Sequence, residues 1–298
     1  MTGKQRVIAL GFFDGVHIGH SALLLRTLEL ARARGFIPSV ITFDTSPKSL
    51  VSGKPTSLIN SAEDRAGLIH RLFSIDDVIF LHFDRNTSRM PWEEFVLRLH
   101  EDFGAKHLVA GHDFRFGRHG LGTAELLSEK CRKLMIGCDI IPEVTHKGRT
   151  SSSTLIRSLL LEGSIEEANE YLGHPHVLTD FVRFGYRLGR TLGTPTINMR
   201  FSDGVLLPAF GVYATRVYLD SGLVRLGVTN IGTRPTVSGG DSAVTAETHI
   251  LDFQGNLYGH TVRLEFYSLL RPELKFSSVD ELKDRILLDC DAVRRYFN

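Results

Sequence analysis

Near residue 175 the hydrophobic pattern of this 298-residue chain changes period. Before that point short apolar runs alternate with helical stretches, and beyond it apolar and polar residues alternate singly. A 3.6-residue repeat covers one face of a helix and a two-residue repeat one side of a strand, so the two halves call for different architectures. Two domains are therefore expected, 1–174 and 175–298, each long enough for its own core.

In the first half Val7–Leu10 reads as a buried strand, Ser21–Arg34 as a helix stopped by Gly35, and Ile37–Phe43 as a second strand. That is a βαβ unit. Val78–Leu81 and His107–Ala110 add strands, and Pro91–Phe103 a helix with Pro91 in its first turn. The rhythm predicts an α/β fold: a parallel sheet with helices on both faces, whose ligand crevice lies beyond the carboxyl ends of the strands. Residues 151–173 predict two short helices, separated by a stop at Gly163 and a capping box Ser164-x-x-Glu167. Then come the period-two runs 212–219, 245–253 and 261–270, broken by "LDSG", "SGGD" and "DFQGN". They predict antiparallel hairpins closing into a barrel or sandwich. A terminal helix opening at Ser278-x-x-Glu281 carries Leu282, Ile286, Leu287 and Val293 on its apolar side.

Composition narrows the function classes. With 42% hydrophobic and 23% charged residues the chain is globular, and a net charge of +1 gives no overall drive toward nucleic acid or membrane. Its three cysteines include no C-x-x-C pair, which argues against a disulfide framework or a zinc site. No apolar run has the length of a signal peptide or a membrane span, so a cytoplasmic location is expected.

The chemistry concentrates at strand exits. "GFFDGVHIGH" (11–20) follows the first strand and "GHDFRFGRHGLG" (111–122) a later one. A glycine-rich turn entering a helix presents N–H groups and a helix dipole to an anion. His17 and His20, with two residues between them, can donate to oxygens whose charge grows during displacement at phosphorus. Asp14 suits either a metal or the shaping of the turn. Taken alone, H-x-G-H fits a capped turn with two surface histidines equally well. "RTSSSTLIRSLLLEG" sets Ser152, Ser153 and Thr154 at a helix start with Arg157 one turn on. That is a phosphate clamp, or else a serine-rich cap beside a solvated arginine. In "FGYRLGRTLGTPTINM" (184–199), Gly185, Gly189 and Gly193 allow close approach of a phosphate and Arg187 and Arg190 add charge. Thr196 and Asn198 share one side of a strand, offering hard oxygens of the kind Mg²⁺ takes. Alone, the stretch also fits a glycine-punctuated hairpin.

In this order, and continued by "GVTNIGTRPTV" (227–237) and "ETHILDFQGNLYG" (247–259), these motifs resemble those of bacterial bifunctional riboflavin kinase/FAD synthetases over nearly the whole chain. The resemblance implies a Rossmann-like FMN adenylyltransferase domain, then an antiparallel β-barrel riboflavin kinase domain with a terminal helix. It implies ATP as substrate with Mg²⁺, riboflavin, FMN and FAD as the flavins handled, and no tightly bound prosthetic group. It implies no nucleic acid or membrane partner and makes no demand on oligomeric state. Glu247 matches the catalytic glutamate of the kinase half, and His17, His20 and Arg157 the catalytic residues of the other. Gly11, Asp14, Gly15, Gly19, Asp113, Ser152, Ser153, Thr154, Gly185, Gly189, Arg190 and Gly193 match nucleotide-binding positions, and Thr196 and Asn198 the metal ligands.

The chain also departs from the family pattern. Phe12 stands where asparagine is usual, Ser46 for a histidine and Thr45 for a proline in a T-F-x-P-H-P run, Asp180 for glycine, and Thr194 and Ile197 for phenylalanine and alanine. An anion at Asp180 repels nucleotide phosphates unless it binds metal or points away. Two other readings compete with the bifunctional enzyme: a riboflavin kinase with a degenerate first domain, and a non-catalytic flavin or nucleotide sensor. A tRNA-handling synthetase relative shares the H-x-G-H turn, but it predicts a basic docking region that the neutral second half lacks.

Overall fold

The computed structural model describes residues 4–45, 56–184, 195–233 and 244–298. Packing divides the chain into two compact units, Met1–Ser153 and Thr154–Asn298. The division falls two helices earlier than the change of sequence period. Of the two helices that follow Ser153, the one at 165–172 packs on the sheet of the second unit.

The first unit holds strands β1 (Arg6–Leu10), β2 (Ile37–Phe43), β3 (Asp77–Leu81), β4 (Ala105–Gly111) and β5 (Gly137–Ile141), with the hairpin β6 (Thr145–His146) and β7 (Arg149–Thr150). Its helices are α1 (Ile18–Arg34), α2 (Ala62–Phe73), α3 (Arg85–Arg89), α4 (Trp92–Glu101) and α5 (Ala124–Lys133). The five main strands are parallel in the order β3-β2-β1-β4-β5. The chain therefore winds outward in both directions from β1, and the switch point lies between β1 and β4. Leu10 and Ala110 are paired there, so the predicted motifs at 11–20 and 111–122 leave the sheet side by side. One face buries Ile8, Leu10, Leu108 and Ala110 against Phe95, Val96 and Leu99 of α4 and Leu127 and Cys131 of α5. Truncating one of these to alanine costs about 2–5 kcal/mol.

Helix α1 starts three residues before the predicted Ser21, because His17 rather than a later residue is its N-cap. Pro91 likewise stands as the N-cap of α4, one residue outside the helix.

The second unit opens with α6 (Ser153–Glu162, whose first residue closes the other unit) and α7 (Ile165–Leu172). Gly163 has φ +81°, and its N–H and that of Ser164 return to the carbonyls of Leu160 and Leu159. This is a Schellman stop. A side chain at Gly163 would strike Leu269. The capping box expected at Ser164 does not form. With ψ 60°, Ser164 is already committed to ending α6, and its hydroxyl makes no cap bond to α7.

Strands β8 (His176–Phe181), β9 (Thr196–Arg200), β10 (Gly211–Leu219), β11 (Val224–Thr233), β12 (Val244–Ile250) and β13 (Thr261–Pro272) form one antiparallel sheet, in the order β8-β13-β10-β11-β12-β9. It curls until its edges meet at a bridge between Arg183 and Asn198. A chain of buried hydroxyls crosses three strands on one face. Thr215 donates to the carbonyl of Gly227 (3.0 Å), so it accepts from Thr229 (2.8 Å), which in turn accepts from Thr248 (2.9 Å). A one-residue slip of β11 would turn Thr229 to the other face and break this chain of hydroxyls, leaving the others short of partners in the interior.

Helix α8 (Val279–Phe297) packs Ile286, Cys290, Val293 and Phe297 against Val212, Ala214, Val228 and Leu251. Leu287, predicted on this apolar side, is instead 51% exposed, because the buried stripe follows the 286–290–293–297 spacing. Arg271 of β13 grips Asp289 of α8 through Nε and Nη2 (2.7–3.1 Å), fixing the helix on the sheet.

His176 on β8 is buried beside Phe266 with neither ring nitrogen hydrogen-bonded, and burial pushes its pKa down to about 3. An unfolded histidine titrates near 6.5, so the unfolded chain binds the extra proton. This histidine's contribution to stability is complete above about pH 6.5 and is lost as pH falls toward 3. His176→Phe should therefore flatten the fall in melting temperature between pH 7 and 5. Equal slopes in variant and parent would refute that assignment.

Candidate active sites

The first constellation is the turn between β1 and α1. Phe13 (φ 56°) and Val16 (φ 44°) both take the left-handed region, as does Gly15 (φ 83°). For non-glycine residues this costs on the order of 1 kcal/mol each, so the surroundings must hold it. They do so from several sides. Asp14 is buried, and its Oδ1 accepts from the backbone N–H groups of Ile59 (2.8 Å) and Asn60 (3.4 Å). Between the two roles left open for it, the shaping of the turn is the one these bonds display. Thr42 Oγ1 and Arg65 Nη1 donate to the carbonyl of Phe12 at 2.9 and 2.6 Å. Ser153 Oγ donates to the carbonyl of Asp14 (2.9 Å), which brings the serine run onto this turn.

His17 Nδ1 accepts from the N–H of His20 at 3.4 Å, so the H-x-G-H spacing is that of an N-cap to the third helical residue. The two imidazoles stack with centroids 3.7 Å apart and planes 22° from parallel. Gly19 is required there, since a Cβ would press on the His17 ring at 3.0 Å. Burial first, then His17 and the Arg65 charge, hold the pKa of His20 well below its ordinary value. A neutral imidazole donates one hydrogen bond and carries no charge.

Arg65 of α2 was not singled out by sequence reasoning, yet it is fully buried. Besides Phe12 it donates to the carbonyl of Phe43 through Nη2 (2.9 Å), and its guanidinium lies over the rings of Phe12 (4.5 Å) and Phe80 (5.2 Å). Burial lowers its pKa to about 10, partly offset by Asp14, Asp44 and Glu63, so it stays charged at neutral pH. Phe12, the departure from the family pattern, is thus the lid on a buried cation. The neighbouring loop after β4 is pinned by the stacked pair Phe114–Phe116 and by Gly117 and Gly122, which fit against Trp92 and Phe116. Asp113 is exposed, with Oδ1 over Gly111. Thr154 and Arg157 lie on α6 within the second unit.

The second constellation is assembled by register. Glu247 of β12 sits opposite Asn198 of β9 and opposite Asn230 of β11, so the three side chains form a row on one face. Thr196 Oγ1 donates to Glu247 Oε1 (2.7 Å). Asn198 is buried, and its Oδ1 has no hydrogen-bond partner among the described residues. Asn230 Nδ2 donates to Glu273 Oε1 (3.3 Å), whose carboxylate lies over Gly232. Asn230 and Glu273 were not among the predicted site residues. Asn230 meets the row through the pairing of β11 with β12, and Glu273, just past β13, through its bond to Asn230. The Asp180 carboxylate is taken up by Arg183 and by the N–H of Arg200. Gly185, Gly189, Arg190 and Gly193, with Ser46, Arg187 and Thr194, lie outside the described residues.

The first unit is of the doubly wound class, whose switch-point crevice takes nucleotides. Comparison with known proteins makes the assignment specific. The FAD synthetase family matches residues 1–155 and the riboflavin kinase family residues 172–297. Proteins described as bifunctional riboflavin kinase/FMN adenylyltransferase from Listeria monocytogenes and Escherichia coli K12 are 34% and 35% identical to it. The alignments cover 99% and 98% of this chain and 94% and 92% of those proteins. A crystal structure described as a macrolide-efflux protein from Streptococcus pneumoniae superposes with a TM-score of 0.84 at 30% identity, covering 99% of this chain and 95% of that one. No helix among the described residues is long and apolar enough to cross a membrane. The chain belongs to the bifunctional riboflavin kinase/FMN adenylyltransferase family.

Removing the Arg65 side chain would leave the carbonyl of Phe43 without this donor and that of Phe12 with Thr42 alone, at about 1–3 kcal/mol for each charged hydrogen bond lost. Arg65→Met should destabilise the first unit by about 2–5 kcal/mol in urea unfolding, with Arg65→Lys intermediate. A change within about 0.5 kcal/mol would show that solvent replaces these bonds.

Proposed function

We propose that this chain performs two phosphorus-transfer reactions in sequence, at separate sites. In the second unit ATP phosphorylates riboflavin to FMN. In the first, the FMN phosphate takes AMP from a second ATP, giving FAD and pyrophosphate. What supports the reading is that one chain matches both families over nearly its full length and holds the residues each chemistry needs.

In the kinase reaction the 5′-hydroxyl of riboflavin attacks the γ-phosphorus, and the bond to the ADP oxygen breaks. Glu247 is the proposed base, orienting the hydroxyl and accepting its proton. Its hydrogen bond from Thr196 holds the carboxylate in place. Among the described residues no group of three or more His, Cys, Asp or Glu is placed to hold a metal. The pair Thr196 and Asn198 instead supplies neutral oxygens, and the buried, unpartnered Oδ1 of Asn198 suits a hard cation completed by phosphate oxygens. Mg²⁺ bound there would neutralise charge on the nucleotide phosphates.

In adenylyl transfer a phosphate oxygen of FMN attacks the α-phosphorus of ATP, and pyrophosphate leaves. No protein nucleophile is required, so positioning and electrostatics carry the reaction. The first turn of α1 presents the positive end of its dipole, and His17 and His20 donate to phosphate oxygens. Gly11, Gly15 and Gly19 let the phosphates approach the backbone. Ser152 and Ser153 are the proposed clamp on the phosphate chain, with Asp113 contributing from the loop after β4, and Thr154 and Arg157 keep the roles that the resemblance implies. Gly185, Gly189, Arg190 and Gly193 keep the nucleotide role that the resemblance implies for the kinase.

The test is to give the purified chain riboflavin, ATP and Mg²⁺ and to follow the flavins by chromatography. FMN and then FAD are expected. Glu247→Gln should slow FMN formation by about 10²–10⁴-fold while FMN supplied directly is still converted to FAD. His20→Ala should do the reverse. Accumulation of FMN without FAD by the unaltered chain would leave only a kinase, and no turnover at all would leave a sensor.

A further inference from the structure

Strand β9 carries both proposed metal oxygens, yet only one of its sides is paired along its length. Toward β12 it pairs from Thr196 to Arg200. Toward β8 the seam of the barrel offers one isolated bridge, in which the N–H of Arg183 donates to the carbonyl of Asn198 (2.8 Å). Asp180 supplies what the strand pairing lacks. Its Oδ2 accepts from the backbone N–H of Arg200 at 2.8 Å, two residues beyond Asn198. The same carboxylate takes the guanidinium of Arg183 as a fork, Nη2 to Oδ1 at 3.1 Å and Nε to Oδ2 at 3.2 Å. Asn198 is thus held from both directions: its own carbonyl by Arg183, and the strand just past it by Asp180.

The energy of this ion pair is modest, because the Arg183 side chain is 49% exposed while that of Asp180 is 13% exposed. Its value lies in geometry. A bidentate carboxylate–guanidinium pair fixes orientation as well as distance, and the carboxylate stands in for a missing strand acceptor at the N–H of Arg200. A small rotation of β9 about its bonds to β12 would move Thr196 and Asn198 together. Metal sites tolerate little such motion, because ligand distances are held within a few tenths of an ångström.

We infer that Asp180 and Arg183 form a clasp across the barrel seam that positions Thr196 and Asn198 for the metal–nucleotide complex of the kinase reaction. The inference rests on the reading of those two residues as the metal oxygens. Both are positioning residues, since neither needs to touch substrate.

The full chain provides its own control, because adenylyl transfer can be measured in the same preparation. Asp180→Asn and Arg183→Gln should each raise the Mg²⁺ concentration for half-maximal kinase rate, and the KM for ATP, by about tenfold, with kcat within about twofold. The conversion of supplied FMN to FAD should be unchanged. The double variant should be no worse than either single one, as for two halves of one contact, and Arg183→Lys should recover part of the loss. Asn198→Ala is run alongside. If it shifts the Mg²⁺ dependence while the clasp variants do not, the clasp is wrong and the metal reading stands. If Asn198→Ala shifts nothing, the metal reading itself fails. A parallel fall of both activities with a lowered melting temperature would also overturn the clasp, marking Asp180 as a support of the fold alone.

Discussion

A fully buried arginine ties together the exits of two neighbouring strands, and the first active-site turn is built on it. Arg65 reaches the carbonyl of Phe12 just past β1 and that of Phe43 at the end of β2. Between those anchor points the chain passes through Phe13 and Val16 in backbone conformations that unrestrained residues avoid. A strained turn persists only where neighbours over-determine it, and here Thr42 and Arg65 together hold the carbonyl of Phe12, Ser153 holds that of Asp14, and the Asp14 carboxylate is tied to the backbone of Ile59. The strain fits the task. A site that works by presenting backbone donors must have them aimed before substrate arrives.

The second site solves the same problem by other means. Its residues lie on separate strands and are brought level by hydrogen-bond register, so Asn198, Glu247 and Asn230 meet because β9, β12 and β11 pair as they do. Register on that face is locked from the opposite one, where Thr215, Thr229 and Thr248 exchange hydroxyl bonds in the interior. Arg271 and Asp289 then fasten the terminal helix over the same sheet. One site depends on a single over-determined turn and the other on the alignment of a whole barrel. Damage to the first should be local, and damage to the second should spread.

Much of this was legible in the sequence, for reasons that differ by feature. Apolar periodicity marked the strands of both halves, because burial on one or both faces dictates it. The H-x-G-H and serine motifs each also fitted an ordinary helix cap, and their order along the chain is what singled them out. What local pattern cannot encode is pairing at a distance. Arg65 reads as one more charged residue on a helix, and only the fold reveals that its head lies beneath two strand ends. Asn230 enters the row beside Glu247 through strand pairing alone, and Glu273 meets it there by a side-chain bond. Ser164 shows the converse failure: its capping-box letters are correct, but the residue was already committed to ending the preceding helix. Leu287 fails for a geometric reason, lying one position outside the stripe that reaches the sheet.

The stacked histidines carry a further consequence for how the first site handles charge. Rings 3.7 Å apart repel if both are protonated, and burial with Arg65 nearby already holds His20 neutral. The imidazole of His20 therefore offers a directed hydrogen bond and not a positive charge. Charge on the nucleotide must be met elsewhere: by the helix dipole, by arginine, and by the cation that accompanies ATP. That division of labour has a physical logic. A neutral donor gains strength as negative charge develops in the transition state without binding the highly charged ground state too tightly. If the turn binds nucleotide as proposed, a residue type known for titrating near neutrality would serve there as an uncharged donor.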